Sequence, residues 1–449
     1  MNIGKINNKG AENIDSKKLK KDFFRYAIPS VLSMWVSALY IMIDGMFVSK
    51  GVGAEALASV NITVPFVNLI FGLSVLFSIG TSSVTSSVLG KGDNKKANEY
   101  FSMSIAFLTL LSIALVIVSF LFLDKICLIL GAGDSTFAMV KDYLRIIIFF
   151  SPFYIVSYAL EVLIKVDGYP NLSVVGVLIS AITNIVLDYV FVFIFNWGVL
   201  GAGLATGLAR VFSFLFFAIH FIGKKSTLKF CTFKFKFDFI KKIASIGISD
   251  CVTELSIGII ILLFNQCIIA TLGDFGLITY SVISYINTLV LSTMLGVSQG
   301  LQPLSSYHNG NGDSEAIKKL LSISIKVVSA LSLAILIICL FFGEFIVLMF
   351  IDKSDLSLFE YTVKAFKIFS LSFALVGFNV VTSGLLASLE KTKEAGIISM
   401  SRGFFIIFIS LITSISLFGS NGIWISTIIS ELIVLAFSVT KIKQLFKTV

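Results

Sequence analysis

The sequence predicts an all-α integral membrane protein: twelve transmembrane helices in two six-helix lobes related by a pseudo-two-fold axis along the membrane normal. Three observations lead there. Hydrophobic residues make up 57% of the 449 and charged residues only 14%, with a mean hydropathy of +0.98; this excludes an ordinary soluble domain. Twelve apolar runs reach the length of about 20 residues that spans a bilayer. They lie near 24–48, 58–82, 99–123, 142–165, 171–195, 200–222, 243–271, 276–303, 319–342, 361–388, 396–417 and 421–441. Finally, a fixed offset of 220 residues lays the first half of the chain on the second.

Taken in order, residues 1–22 are polar and lysine-rich, with no apolar core ahead of a small-residue cleavage site, so they read as a retained cytoplasmic tail. The first span, FRYAIPSVLSMWVSALYIMIDGMFV, carries Asp44 well inside its hydrophobic run. An ionised side chain there costs at least about 2.5 kcal/mol, so Asp44 needs a partner, a wet cavity or a proton. Spans one to six form an N-terminal lobe over 23–222, and spans seven to twelve a C-terminal lobe over 243–443. Residues 223–242 form a basic loop between them, and 444–449 a short tail. Placing the amino terminus inside puts Lys17, Lys18, Lys20, Lys21, the 223–242 loop, Lys391, Lys393 and Lys441 on the cytoplasmic side, with Lys50, Lys125 and Lys353 among the few opposite. The positive-inside rule therefore gives a multi-pass protein of the cell membrane with both termini cytoplasmic. Within the loop, KFCTFKFKFDF alternates apolar and basic residues, a pattern open to a strand but better suited to a segment along the inner membrane surface.

The repeat is specific. Ser78, Gly80 and Ser86 fall on Ser298, Gly300 and Ser306; Gly53 falls on Gly273; the loop Gly90-Lys91-Gly92-Asp93 falls on Gly310-Asn311-Gly312-Asp313. Six helices per half is an even number, so the halves share one orientation, the layout of a two-lobed alternating-access carrier. Other classes have little to build on. Cys127, Cys231, Cys251, Cys267 and Cys339 are scattered without CxxC spacing, which argues against a disulfide framework or metal site. His220 and His308 are the only histidines and no Walker motif is present, so neither an enzyme nor an ATPase is expected. The net charge of +9 sits between hydrophobic runs as a topology signal, with no nucleic-acid motif.

Depth counting assembles a candidate site. The first and fifth spans both run outward, and Asp44 and Asp188 lie about 20 and 17 residues in, at similar depth in one lobe. Asn184 precedes Asp188 by four residues and shares its helix face. Two carboxylates and an amide in a partly dry cavity can hold a proton from outside, or bind a sodium ion through their oxygens; the alternative is that both acids cap helices at the outer headgroups. Glu254 lies near mid-depth of the seventh span, where it faces a cavity, binds a substrate cation or pairs with a base. Gln299, Asn68, Asn287 and Asn379 are polar points for a substrate cavity. Arg210 and Glu431 correspond under an offset of 221 and suit a structural or gating role, while Glu161, Lys326 and Arg402 stand close enough to helix ends to snorkel. Pro29, Pro65, Pro152 and Pro303 are candidate bending points, and bending at Pro29 would move Asp44 relative to Asp188.

These residues resemble the multidrug and toxic compound extrusion (MATE) transporters over about 23–443. The likeness rests on Ile28-Pro29-Ser30, Asp44, Phe47-Val48-Ser49, the Gly90–Asp93 loop, Asp167-Gly168-Tyr169-Pro170, Asn184 with Asp188, and Gln299-Gly300-Leu301-Gln302-Pro303. The resemblance implies antiport of small-molecule drugs and toxic organic compounds, amphiphilic and often cationic, against H+ or Na+. It implies no cofactor, and the expected assembly is a monomer in the lipid bilayer. One branch carries an acid on the tenth helix that takes part in sodium coupling; Ala365 to Leu389 contains none, and Asn171 replaces the usual lysine after Pro170. The chain is thus more similar to the bacterial DNA-damage-inducible and small-drug exporters. A flippase for lipid-linked oligosaccharide or precursor is the nearest rival. It would favour cationic cavity residues, whereas the intramembrane charges here are mainly acidic; a membrane-embedded enzyme or passive channel is more remote.

Overall fold

Where a bilayer offers backbone groups no water, an apolar run satisfies them internally by coiling into a helix. The computed structural model describes residues 16–134, 136–351 and 355–447, and all regular structure among them is helical. Residues 1–15 of the expected tail, Lys353 and the last two residues lie outside the described residues.

The chain divides into two compact units, one holding Ile28–Gly247 and Ser306–Asp313, the other the start of the first helix through Ala27, Ile248–Ser305 and the chain from Ser314 onward. In the first unit, α1 (Ser16–Gly51), α2 (Ala54–Gly90) and α3 (Asn94–Leu121) are followed by the short α4 (Leu123–Ile129) and then α5 (Phe137–Val166). Next, α6 (Pro170–Asp188) continues through a π-helical turn, Tyr189–Ile194, into α7 (Gly198–Ile222). Pro170 opens α6 at a position where its missing N–H is not needed. The buried helix is α5, which packs on α7, α2 and α3. Glycine makes the closest of these approaches: a Cβ on Gly207 would strike the Phe150 ring, and one on Gly176 the Phe217 ring. Both contacts draw α7 against its neighbours, and α7 carries Thr206 and Arg210.

The next helix, α8 (Phe237–Gly310), runs 74 residues but is broken at Gly273, whose φ of 61° and ψ of −151° are not helical. Counting that break, the described residues contain twelve helical stretches long and apolar enough to cross a membrane. Gly273 is the repeat partner of Gly53, which has φ 123° at the junction of α1 and α2, so one left-handed residue performs the same turn in each half. The helix begins at Phe237 rather than at 243; Lys241 and Lys242, taken as loop residues, are exposed on its first turns. A helix that outruns the apolar layer carries its lysines into water, and hydropathy alone places its start too late.

The second unit continues with α9 (Ser314–Phe341), α10 (Gly343–Leu348), α11 (Leu356–Ser370), α12 (Phe373–Ser388), α13 (Thr392–Met400), α14 (Ile406–Phe418) and α15 (Asn421–Lys447). A π-helical turn, Ser401–Phe405, joins α13 to α14. Here α12 packs on α9, α13 and α15, and α14 on α15. Hydroxyls tie the core: Ser249 bonds Ser383 at 2.8 Å and Ser399 at 3.1 Å, and Thr253 donates to Ser399 at 3.1 Å. Such bonds take the place of the hydrophobic drive that helices lack in lipid.

Candidate functional site

The first unit contains a buried polar centre made by α1, α5, α6 and α7. Asn184 and Asp188 lie one turn apart on α6, both almost fully buried, and the helix widens into its π-helical turn directly after Asp188. The Asn184 amide donates to Thr206 Oγ1 at 3.3 Å. Asp44 on α1 lies beside Asp188 and Asn184, and Tyr143 on α5 lies beside Thr206. The structure thus brings together the three residues singled out by depth counting, and adds Thr206 and Tyr143.

What the centre lacks is donors. Both carboxylate oxygens of Asp188, Oδ1 of Asp44 and the Asn184 side-chain oxygen are buried without a hydrogen-bond partner. Two carboxylates bond each other only through a shared proton; when both are ionised, a cation among their oxygens is the remaining way to offset their burial. Carboxylate, amide and hydroxyl oxygens suit a hard cation rather than a transition metal. Among the described residues, no group of three or more His, Cys, Asp or Glu side chains is arranged to hold a metal ion.

One turn along each helix from this centre stand Tyr40 on α1 and Arg210 on α7. Arg210 donates to the Tyr40 hydroxyl, and its guanidinium lies 4.3 Å from the Tyr154 ring centroid. A cavity of about 50 Å³ adjoins Arg210, lined by Tyr143, Ser151, Tyr154, Thr206 and Arg210 among others. Farther along α5, Glu161 and Lys165 are 7% and 2% exposed. Glu161 therefore does not snorkel; it is enclosed one turn from a lysine. Pro29 lies inside α1, which stays helical through it. Asn68 is half-buried on α2 and does not line this cavity.

A second polar centre occupies the second unit. Glu431 on α15 accepts Arg402 Nε at 3.0 and 3.2 Å and its terminal nitrogen at 3.0 Å. Arg402, expected to snorkel, turns inward instead, because it sits within the π-helical turn where the extra residue shifts the helix face. Asn379 donates to Glu431 Oε2 at 2.7 Å and accepts from Ser438 at 2.9 Å. Its amide is engaged behind the ion pair rather than lining the adjoining cavity of about 70 Å³, which Asn287, Thr253, Ser256, Arg402 and Glu431 do line. On α8, Gln299 is buried, Gln302 donates to Asp250 Oδ1 at 3.0 Å, and Glu254 is half-buried one turn beyond Asp250.

The histidines sit at helix ends. His220 Nε2 is 2.7 Å from Asp167 Oδ2, and the same carboxylate accepts the backbone N–H groups of Thr227 at 2.7 Å and Leu228 at 2.9 Å, together with the Thr227 hydroxyl. This cluster clamps the start of the basic loop against α5 and α7. From Lys229 to Lys236 the loop is exposed and free of regular structure. All five cysteines are free thiols.

Sequence reasoning missed Tyr40, Tyr143, Tyr154, Thr206 and Lys165. The one available signal was spacing: Tyr40 precedes Asp44 by four residues, Arg210 follows Thr206 by four, and Lys165 follows Glu161 by four.

The MatE family model matches the chain twice, over residues 29–190 and 252–413, in keeping with the internal repeat. Multidrug export protein MepA of Staphylococcus aureus (strain bovine RF122 / ET3-1) is 26% identical over 414 residues, covering 92% of this chain and 90% of that protein. MepA of Staphylococcus haemolyticus (strain JCSC1435) is 26% identical over 422 residues, covering 93% and 92%. Among solved structures, an outward-facing multidrug resistance MATE family transporter of the MOP superfamily superposes with a TM-score of 0.90 at 21% identity, covering 97% of this chain and 100% of that one. A MOP superfamily transporter from Pyrococcus furiosus Vc1 (DSM3638) gives 0.86 at 21% identity, covering 96% and 99%.

Proposed function

We take as premise that the chain belongs to the MatE family, and we propose that it is a cation-coupled multidrug efflux antiporter. Members of this family are transporters, not enzymes, and the chain is a multi-pass membrane protein. The cargo is small, amphiphilic and often cationic, as the export named for the MepA relatives supports. Both termini lie in the cytoplasm, and transport proceeds by alternating access.

One observation carries the coupling mechanism: four buried side-chain oxygens of Asp44, Asn184 and Asp188 converge without donors. A proton or sodium ion entering from outside is held there, neutralises the acids and relieves their burial. Because Asp44 lies on α1 and Asp188 on α6, occupancy draws these helices together and its loss lets them part. A ligand biases two conformations by its differential affinity for them, and one inward positive charge adds about 2.3 kcal/mol per 100 mV. That bias exceeds tenfold in population. Thr206 accepts from the Asn184 amide and, with Tyr143 beside it, completes the oxygen set, while Asp250 and Glu254 on α8 supply acidic surface for cationic cargo in the second unit.

The test is Asp44→Asn in proteoliposomes, reading fluorescent-dye movement under separately imposed proton and sodium gradients. Loss of gradient-driven movement is expected, with expression and membrane insertion unchanged. Full activity in that variant would refute the assignment.

A further inference from the structure

The basic loop of the first unit is pinned along a helix. Asp167 holds Thr227 and Leu228 at its start, and the residues that follow run beside α3. The backbone N–H of Lys229 donates to Asn98 Oδ1 at 3.0 Å, that of Cys231 to Ser102 Oγ at 2.9 Å and that of Lys236 to Met103 Sδ at 3.3 Å. Phe230 packs on the Phe101 ring with centroids 4.9 Å apart, and Phe239 stacks on Tyr100 at 4.3 Å as α8 begins. The side chains between these anchors face outward. Phe230, Phe233, Phe235 and Phe237 are 51%, 37%, 58% and 61% exposed, and Lys229, Lys234 and Lys236 are exposed beside them.

Depth and charge identify what covers this surface. Helix α3 has 28 residues, against about 20 that cross the hydrocarbon. Shared evenly, the excess leaves about four at each end, so the acyl region starts near Asn98. Asn98, Ser102 and Met103 therefore hold the strap where acyl chains meet headgroups. Residues 229–242 carry five lysines, five phenylalanines and one acid, Asp238. Lys236 is extended, with φ −128° and ψ 109°, and side chains alternate across an extended residue. Phe235 and Phe237 thus share a side opposite Lys236. Aromatic rings on one side and ammonium groups on the other match a boundary between acyl chains and phosphates. We propose that this strap is a docking site for anionic phospholipid headgroups, its phenylalanines entering the acyl boundary and Lys229, Lys234 and Lys236 pairing with headgroup phosphates. A soluble polyanion would answer the lysines but not a row of phenylalanines held at acyl level. The cytoplasmic placement of the loop given above decides only which leaflet is bound.

The experiment places the full chain, carrying Phe233→Trp, in phosphatidylcholine nanodiscs with a small fraction of brominated phosphatidylglycerol or brominated phosphatidylcholine. It reads quenching of the introduced indole against the same discs holding wild type. Each lysine near an anionic surface strengthens association about fivefold, so phosphatidylglycerol should quench at a fraction at least about fivefold lower than phosphatidylcholine. Adding Lys229→Gln, Lys234→Gln and Lys236→Gln should make the two lipids equal. In about 1 M salt, where the screening length is about 3 Å, the preference should fall toward one. Equal quenching by the two lipids with the lysines present overturns the proposal, as does an indole that neither lipid quenches. A soluble oligonucleotide added to discs of phosphatidylcholine alone should leave the emission unchanged; a saturable shift there would assign the lysines to a soluble polyanion instead. Nanodiscs present the same lipids on both faces and require no transport, so failure here leaves the topology and coupling readings standing. Phe235→Trp repeats the measurement if Phe233→Trp does not fold.

Discussion

Replacing Arg402 with methionine tests the second polar centre. The guanidinium reaches Glu431 through three contacts of 3.0 to 3.2 Å, and the two side chains are only 12% and 8% exposed. Methionine fills much of the volume but leaves the carboxylate with the Asn379 amide as its side-chain donor. Breaking one half of a buried pair costs about 3–5 kcal/mol, whereas replacing both halves with apolar groups is often neutral. Arg402→Met should therefore be severe, and Arg402→Met with Glu431→Met should recover most of the loss, a coupling of about 2–4 kcal/mol. Chains of 150–250 residues lose about 2–4 °C per kcal/mol, so a second unit that melts by itself should drop by roughly 6 °C or more. Thermal unfolding in detergent, read by a thiol-reactive dye on a background with Cys127 and Cys231 replaced by Ala, follows that unit because Cys251 and Cys339 are buried in it. A single variant that melts with the wild type, or a double variant no better than the single, would refute the reasoning.

Asp167→Ala should free the basic loop, since one carboxylate holds the backbone N–H groups of Thr227 and Leu228 as well as His220; at about 1.5–3 kcal/mol for each charged hydrogen bond, tryptic cleavage after Lys225 or Lys229 should accelerate at least about tenfold, and an unchanged rate would show that the clamp does not restrain the loop. At α11, the backbone N–H of Leu358 and then the Ser357 hydroxyl hold the Asp355 carboxyl below its ordinary value. A lowered folded value means the cap is fully present above the unfolded pKa of about 3.9 and is lost as pH falls through the lower folded one. Amide exchange at Leu358 should therefore rise in that acid window in wild type, and Asp355→Asn should remove the pH dependence.

Hydropathy and length place the spans because a bilayer admits few alternatives, and the gap they leave between 271 and 276 contains the α8 break at Gly273, the repeat partner of Gly53. Depth counting brought Asp44, Asn184 and Asp188 to one level for the same reason: rise per residue is fixed in a regular helix. Where the helix is irregular the count fails. A uniform helix across 401–405 would carry Arg402 to the interface, and the residue inserted in the π-helical turn there rotates it inward. Phe237 was missed as a helix start because nothing in a lysine-rich stretch marks where a helix leaves the apolar layer. Thr206, Tyr40 and Tyr154 were illegible for another reason. An uncharged hydroxyl on an apolar helix carries no cost that demands explanation, and its partners follow only from how Gly207 and Gly176 let α7 approach.

The two glycine loops meet in the structure. A Cβ on Gly90 would strike the carbonyl of Tyr307, and one on Gly310 the carbonyl of Ser87, each carbonyl lying three residues ahead of the opposite glycine. The contact is reciprocal, as a two-fold rotation requires, so a methyl group placed on either loop wedges apart a junction to which both repeats contribute. Neither loop can carry a side chain there without displacing the backbone of the other repeat.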